Sequence, residues 1–149
     1  MLKRIISGGQ TGADQGGLEG AYSLGIATGG TAPLLYRTET GCNPDLLKDR
    51  YGLKESIYWT YPPRTEANVE EADLTVIVGK ANSPGCRLTI DLCLKHNKPF
   101  IINPTPELLA DQCADLRVEV LNVAGNREST NPGIHERTKL LMIQAFGDK

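Results

Sequence analysis

The sequence predicts an α/β fold: a single Rossmann-like domain whose mostly parallel sheet, of about five or more strands, carries helices on both faces. Three observations predict it. Short β-branched runs alternate with segments of helical spacing, the pattern of strand–helix–strand crossovers. The run Leu74-Thr75-Val76-Ile77-Val78 is almost wholly apolar, as suits a central parallel strand covered on both sides. Glycine-containing turns follow strand candidates and lead into helices.

Each element follows in order. Leu2–Ile6 is a short strand closed by Ser7-Gly8-Gly9. Ala13–Leu24 reads as a helix with Leu18, Ala21 and Tyr22 on one face. Gly17 and Gly20 cost that helix stability but allow close approach to a strand. Ile26–Thr28 is a weak second strand ended by Gly29-Gly30. Thr31–Tyr58 has few periodic features and reads as a long surface excursion, uncommon unless functional or poorly ordered. Arg64–Ala72 is helical, with Pro62 and Pro63 at its entrance. After the strand Leu74–Val78 come a helix, Gly85–Asn97, and a strand, Pro99–Ile102. A short helix, Pro106–Cys113, and a last strand, Val118–Val123, follow. Asn131-Pro132 opens the final helix with a cap residue and an N1 proline; Ile134, Leu141 and Ala145 share its inner face.

The bulk properties narrow the function. The 149 residues make one ordinary domain, residues 1–149, able to bury a core without staples. Sixteen basic and eighteen acidic side chains leave a formal charge of −2, without the basic excess of a non-specific nucleic-acid binder. No apolar run reaches membrane-spanning length. Met1-Leu2-Lys3-Arg4 precedes only two isoleucines, too few for a signal peptide. Cys42, Cys86, Cys93 and Cys113 form no C-x-x-C pair and read as reduced thiols of a cytoplasmic protein. His96 and His135 lack metal-ligand spacing, and no Ser-His-Asp set or carboxylate pair stands out, so no metal site and no catalytic set is expected.

Chemistry is expected where parallel strands end. Ser7-Gly8-Gly9-Gln10-Thr11-Gly12 joins the first strand to the first helix. Glycines there permit positive φ and close approach of the backbone to a ligand. Free N–H groups and the helix dipole favour an anion, and Ser7, Gln10 and Thr11 add hydrogen-bonding side chains, which together suit a phosphate. No lysine follows Gly12, so this is not a Walker A loop, nor is it the dinucleotide fingerprint. The competing reading is a tight turn with small residues for packing. Asp14, in the first helical turn, would repel an adjacent phosphate; it would contact a hydroxyl or base, or serve the fold alone.

Three further clusters are candidates. Arg64 and Asn68 share a helix face, either as a phosphate fork and a base reader or as a solvated pair. The segment from Asn82 to Thr89 is a second strand-to-helix glycine turn, either a helix start that shares the ligand or a simple loop with a cap; Cys86 within it reads as a small half-buried residue, the alternative being a soft metal or cofactor contact. Asn122-Val123-Ala124-Gly125-Asn126-Arg127-Glu128-Ser129 leaves the last strand either as a polar site or as an ordinary connector.

Taken together, Ile6–Asp14, Arg64-Thr65 with Asn68-Val69, and Asn122–Gly125 with Arg127-Glu128-Ser129 and Pro132-Gly133-Ile134 resemble the molybdenum cofactor carrier family. That family lies in the Rossmann-like group that includes the cytokinin-activating phosphoribohydrolases, often called lysine-decarboxylase-like. The resemblance runs in order along nearly the whole chain. It implies a phosphate-bearing ligand, molybdenum cofactor (molybdopterin) or a related nucleotide, a homo-oligomer, and molybdoenzymes as recipients.

Two departures matter. The phosphoribohydrolases carry P-G-G-x-G-T-x-x-E at the second turn, and here Thr89 stands where the glutamate would be. Threonine cannot act as a carboxylate base, so a binder is implied rather than a hydrolase. Gly85-Cys86 and Asn126 replace the family's usual glycine-threonine pair and proline, which leaves the ligand open. The expected assignment is that Gly8, Gly9, Gln10, Thr11 and Gly12, with Ser7, cradle phosphate. Gly85, Arg87 and Thr89 complete the anion site; Asp14, Arg64, Asn68, Gly125, Arg127 and Glu128 hold the remainder. Gly9→Val is then expected to abolish binding and spare the fold. The alternatives are an enzyme that cleaves a nucleoside monophosphate, with Glu128 or Asp14 in place of the missing glutamate, and a nucleotide-sensing module.

Overall fold

The computed structural model describes residues 1–147. Five parallel strands form the sheet: β1 (Arg4–Ile6), β2 (Ala27–Gly29), β3 (Leu74–Val78), β4 (Phe100–Ile102) and β5 (Val120–Gly125). Their spatial order is β2-β1-β5-β3-β4. Five α-helices accompany them: α1 (Ala13–Ser23), α2 (Tyr61–Glu71), α3 (Pro84–Lys95), α4 (Pro106–Asp115) and α5 (Ile134–Phe146). The predicted α/β architecture with a parallel sheet is the one observed.

The strand order has a simple meaning. Taking β5 as the first strand and keeping the rest in sequence turns it into 3-2-1-4-5, the order of a doubly wound sheet. The chain is thus a cyclic reordering of that fold. In such sheets the ligand crevice opens where the order reverses, at the carboxyl ends of the strands. Here that point lies between β5 and β3.

The two faces of the sheet are built differently. Ile5, Leu74, Val76, Leu121 and Val123 point toward α1, α4 and α5 and meet Ala21, Leu109, Leu141 and Met142 in the main core. Val69, Leu92 and Cys93 fill a smaller core under α2 and α3. Gly16, Gly17 and Gly20 let α1 sit close to its neighbours: a Cβ on Gly17 would lie 2.7 Å from the Val123 side chain. Leu18 and Ala21 are buried as expected, whereas Tyr22 is 56% exposed.

Boundaries shift by a few residues where caps decide them. Helix α2 begins at Tyr61, so Pro62 and Pro63 lie inside its first turn, where missing N–H groups cost nothing. Helix α3 begins at Pro84, with the Ser83 hydroxyl accepting from the Cys86 amide at 3.3 Å. Helix α5 begins later than expected, at Ile134, with Gly133 as its cap residue; Asn131 and Pro132 belong to the preceding turn.

The long excursion between β2 and α2 is more structured than its sequence suggests. Thr31–Ala32 pairs in parallel with Lys54–Glu55, and Arg37–Thr38 pairs antiparallel with Gly41–Cys42. Ala32, Tyr36, Leu47, Tyr51 and Leu53 form a third core against Leu18 of α1. These apolar residues follow neither a period of two nor one of 3.6, which is why pattern reading leaves the segment blank.

Candidate functional site

A cleft of about 310 Å³ opens at the carboxyl ends of the strands, beside the reversal between β5 and β3. Its walls come from four places: Gln10 and Asp14 of the first turn, Tyr61, Arg64 and Thr65 of α2, Ser83, Pro84, Gly85, Leu88 and Thr89 at the start of α3, and Ala124–Arg127 with Thr130 after β5. Of the residues singled out from sequence, the cleft unites Gln10, Asp14, Arg64, Gly85, Thr89, Gly125 and Arg127.

The first glycine turn is not the open cradle expected of it. Gly8 and Gln10 direct their amides to the Asp14 carboxylate, the latter at 3.2 Å. The Gly9 amide donates to the Ser7 hydroxyl at 3.2 Å, and the Thr11 amide to the Gln10 side-chain oxygen at 3.0 Å. An internal carboxylate therefore occupies the place foreseen for a ligand anion. The physical reason is proximity: Asp14, one turn into α1, reaches back to its own helix start more readily than any diffusing anion. Leu47 and Leu53 cover Gly9, whose Cβ would lie 2.8 Å from Leu47. Gly9→Val would strike that core, contrary to the expectation that it spares the fold.

Asp14 is paired in turn with Arg64, Nη1 to Oδ2 at 3.5 Å, both side chains well buried. Burial pushes the Asp14 carboxyl up, against the opposing pull of Arg64 and the amides. Burial likewise pushes the Arg64 guanidinium down, with Asp14 opposing. The same guanidinium explains Gly8: a Cβ there would lie 2.1 Å from Nη1.

Several expected site residues are engaged within the protein or lie outside the cleft. Asn68, 1% exposed, clamps Thr31, accepting from its N–H at 2.8 Å and donating to its carbonyl at 2.9 Å. The solvated reading of the Arg64–Asn68 pair fails for the same reason: Asn68 is buried and the Arg64 side chain is only 13% exposed. Ser7 donates to the Asp14 carbonyl at 3.2 Å. Thr11 donates to Glu39 and, with Gly12, borders a separate hollow. Arg87 is exposed on α3 and does not line the cleft. Glu128 turns away from the cleft and caps α5, accepting from the Gly133 amide at 2.7 Å and the His135 amide at 3.0 Å.

These two amides hold the Glu128 carboxyl below its ordinary range. A lowered carboxylate stabilises the fold fully above the unfolded pKa, about 4.3, and loses that contribution as pH falls through the folded value. Glu128→Ala is expected to cost about 1 kcal/mol at pH 7, the usual worth of a helix cap. The urea-midpoint gap to the parent should shrink as pH drops below about 4. Phosphate affinity should be unchanged; a weakened affinity would restore Glu128 to the ligand site.

Other residues carry more than sequence suggested. Asn126, 3% exposed, ties the two loops at the cleft together. Its oxygen accepts from the Lys80 amide at 2.6 Å, and its nitrogen donates to the Ser83 hydroxyl at 3.1 Å and the Cys86 thiol at 3.6 Å. Tyr61 is the larger omission. The guanidinium carbons of Arg37, Arg127 and Arg64 lie 4.7, 4.9 and 5.4 Å from its ring centroid. Only the Tyr61–Arg64 step, three residues along α2, is a sequence spacing; nothing in the sequence links Arg37 or Arg127 to them.

Two buried donors on residues of the cleft wall have no acceptor among the described residues: Nε2 of Gln10 and Nε of Arg64. The Gln10 amide orientation is set from within, since its oxygen accepts from the Thr11 and Glu39 amides at 3.0 and 2.8 Å. Its nitrogen is therefore an obligate donor. Unpaired buried donors are rare, and here both belong to one cleft.

Among the described residues no helix is long and apolar enough to cross a membrane. No curated protein matches the chain. A crystal structure from Syntrophus aciditrophicus SB, named "putative molybdenum carrier protein", is similar over 99% of this chain and 96% of that one. Its TM-score is 0.85 at 29% sequence identity. The family model for the circularly permutated YpsA SLOG family matches residues 5–146, in agreement with the reordered sheet, and the chain belongs to that family.

Proposed function

We propose that the protein is a ligand-binding carrier that holds a phosphate-bearing small molecule in this cleft, molybdenum cofactor or a related nucleotide. One observation carries the reading: Arg127, Arg64 and Gln10 converge on the cleft, and among the described residues Arg127 has no carboxylate at salt-bridge distance while Arg64 Nε and Gln10 Nε2 have no acceptor. That donor set fits an oxyanion, whose oxygens accept hydrogen bonds and donate none. The start of α3 adds its dipole, and at Gly85 a Cβ would meet nothing within 4 Å, so a ligand can approach the backbone there. The volume suits a mononucleotide-sized compound, at the small end of ordinary ligand pockets.

Arg127, Gly85 and the Gln10 amide would hold the phosphate; the Thr65 and Thr89 hydroxyls donate to the Tyr61 and Gly85 carbonyls, at 3.2 and 3.1 Å, and would accept only from the rest of the ligand. The chemistry of the cofactor is that of its metal and pterin; this chain supplies binding and orientation. Transfer to a recipient molybdoenzyme and a homo-oligomeric state belong to the same reading. Its test is native mass spectrometry of the purified protein, then calorimetric titration with AMP of the parent and of Arg127→Ala. Arg127→Ala should weaken binding about tenfold, the loss of one charge-assisted contact. Failure of any phosphate-bearing compound to bind, retained or added, would sink the proposal.

A further inference from the structure

Arg37 stands outside the cleft wall, on the excursion between β2 and α2, and nothing above assigns it a role. Its guanidinium lies 4.8 Å from the Trp59 ring and 4.7 Å from the Tyr61 ring, and Nη1 donates to the Trp59 carbonyl at 3.2 Å. The rings take up none of its N–H groups as a carboxylate would, so beyond the bond to Trp59 its donors remain for an anion. Tyr61 lines the cleft, so Arg37 is one ring away from it.

The charges around that ring do not balance. Three guanidiniums meet there, and like charges so close repel strongly where water is partly excluded. One carboxylate answers them, Asp14, and its partner is Arg64. Glu39 is near enough for Arg127 to influence, but its carboxylate is directed to Ser129 and Thr11. Neither Arg37 nor Arg127 has a carboxylate within salt-bridge distance among the described residues. Two uncompensated cations flank Tyr61, one in the cleft and one beside it.

The geometry points to a ligand with two linked anionic groups, a diphosphate, one group at Arg127 and the start of α3, the other at Arg37. This inference rests on the reading of the cleft as a phosphate site. It makes Arg37 the residue that distinguishes a diphosphate from a single phosphate. A monophosphate would leave one of the two guanidiniums unanswered.

The probes are inorganic phosphate and pyrophosphate, titrated by calorimetry at matched ionic strength, because charge alone favours pyrophosphate when screening is weak. The parent should bind pyrophosphate about tenfold more tightly, the worth of one added charge-assisted contact. Arg37→Ala should abolish that preference and leave phosphate affinity as it was. Arg37→Gln, which keeps most of the stem, should behave the same way and guards against a misfolded variant. Trp59 is the chain's single tryptophan, so its fluorescence should respond to pyrophosphate and not to phosphate. Equal affinities in the parent, or a preference that survives in both folded variants, would overturn the diphosphate assignment and leave the phosphate site standing. Binding of neither probe would overturn both.

Discussion

Arg64→Ala should destabilise the protein by about 3–5 kcal/mol, the cost of leaving one member of a buried ion pair alone. Arg64 is the only cation at salt-bridge distance from Asp14 among the described residues, and Asp14 is 5% exposed. Without the guanidinium, the buried carboxylate must stay charged with no counter-ion at salt-bridge distance or take up a proton. The second route would in turn weaken its hold on the Gly8 and Gln10 amides. The loss would also open a void over Gly8, where the Arg64 stem now lies. Urea unfolding with an unchanged slope reads the effect directly.

A double change separates stability from binding. Asp14→Asn with Arg64→Met removes both charges and keeps an acceptor for the amides and bulk over Gly8. Replacing a buried pair in this way is often close to neutral. The double variant should therefore regain most of the lost stability yet bind phosphate poorly. If the single variant loses less than about 1 kcal/mol, the pair is solvated and the account of the first turn is wrong.

Gly12→Ala should be at least as damaging, costing more than about 3 kcal/mol. Gly12 sits at φ +85° and ψ −129°, a backbone conformation that residues with a Cβ rarely adopt. The added Cβ would lie 2.3 Å from the Asn126 carbonyl and 2.6 Å from the Glu128 nitrogen, both backbone atoms. Relief would require separating the first turn from the loop after β5 and breaking the bond from the Ala13 amide to the Asn126 carbonyl at 3.0 Å. Gly133→Ala is the control. Gly133 also has positive φ, +92°, but a Cβ there meets nothing within 4 Å. It should cost about 1 kcal/mol, the conformational penalty alone. Similar melting temperatures for the two variants would show that the packing of these two loops does not matter.

The difference between those glycines shows where reading a sequence succeeds. Ser7–Gly12 is recognisable as a strand-to-helix turn because local steric rules demand glycine there. What the turn binds is not a local property. Its amides meet Asp14, and the balance of that carboxylate depends on Arg64, fifty residues later. Glu128 misleads in the same way. As a charged residue at a strand exit it suggests a site, and only the path of the chain through Gly133 makes it a cap. Tyr61 is missed because, besides Arg64 on its own helix, Arg37 and Arg127 come to it from two other segments only after folding.

By itself the sequence determined the alternation of strands and helices, the buried run Leu74–Val78, and the family pattern along the chain. Those follow from hydrophobic period and backbone sterics, which act over a few residues. Tertiary structure decided the strand order, and with it the position of the crevice between β5 and β3. It also decided which charges are answered inside the protein and which have no counter-ion among the described residues. Electrostatic balance depends on distance in space, and residues far apart in the chain set that distance only once the sheet has closed its order.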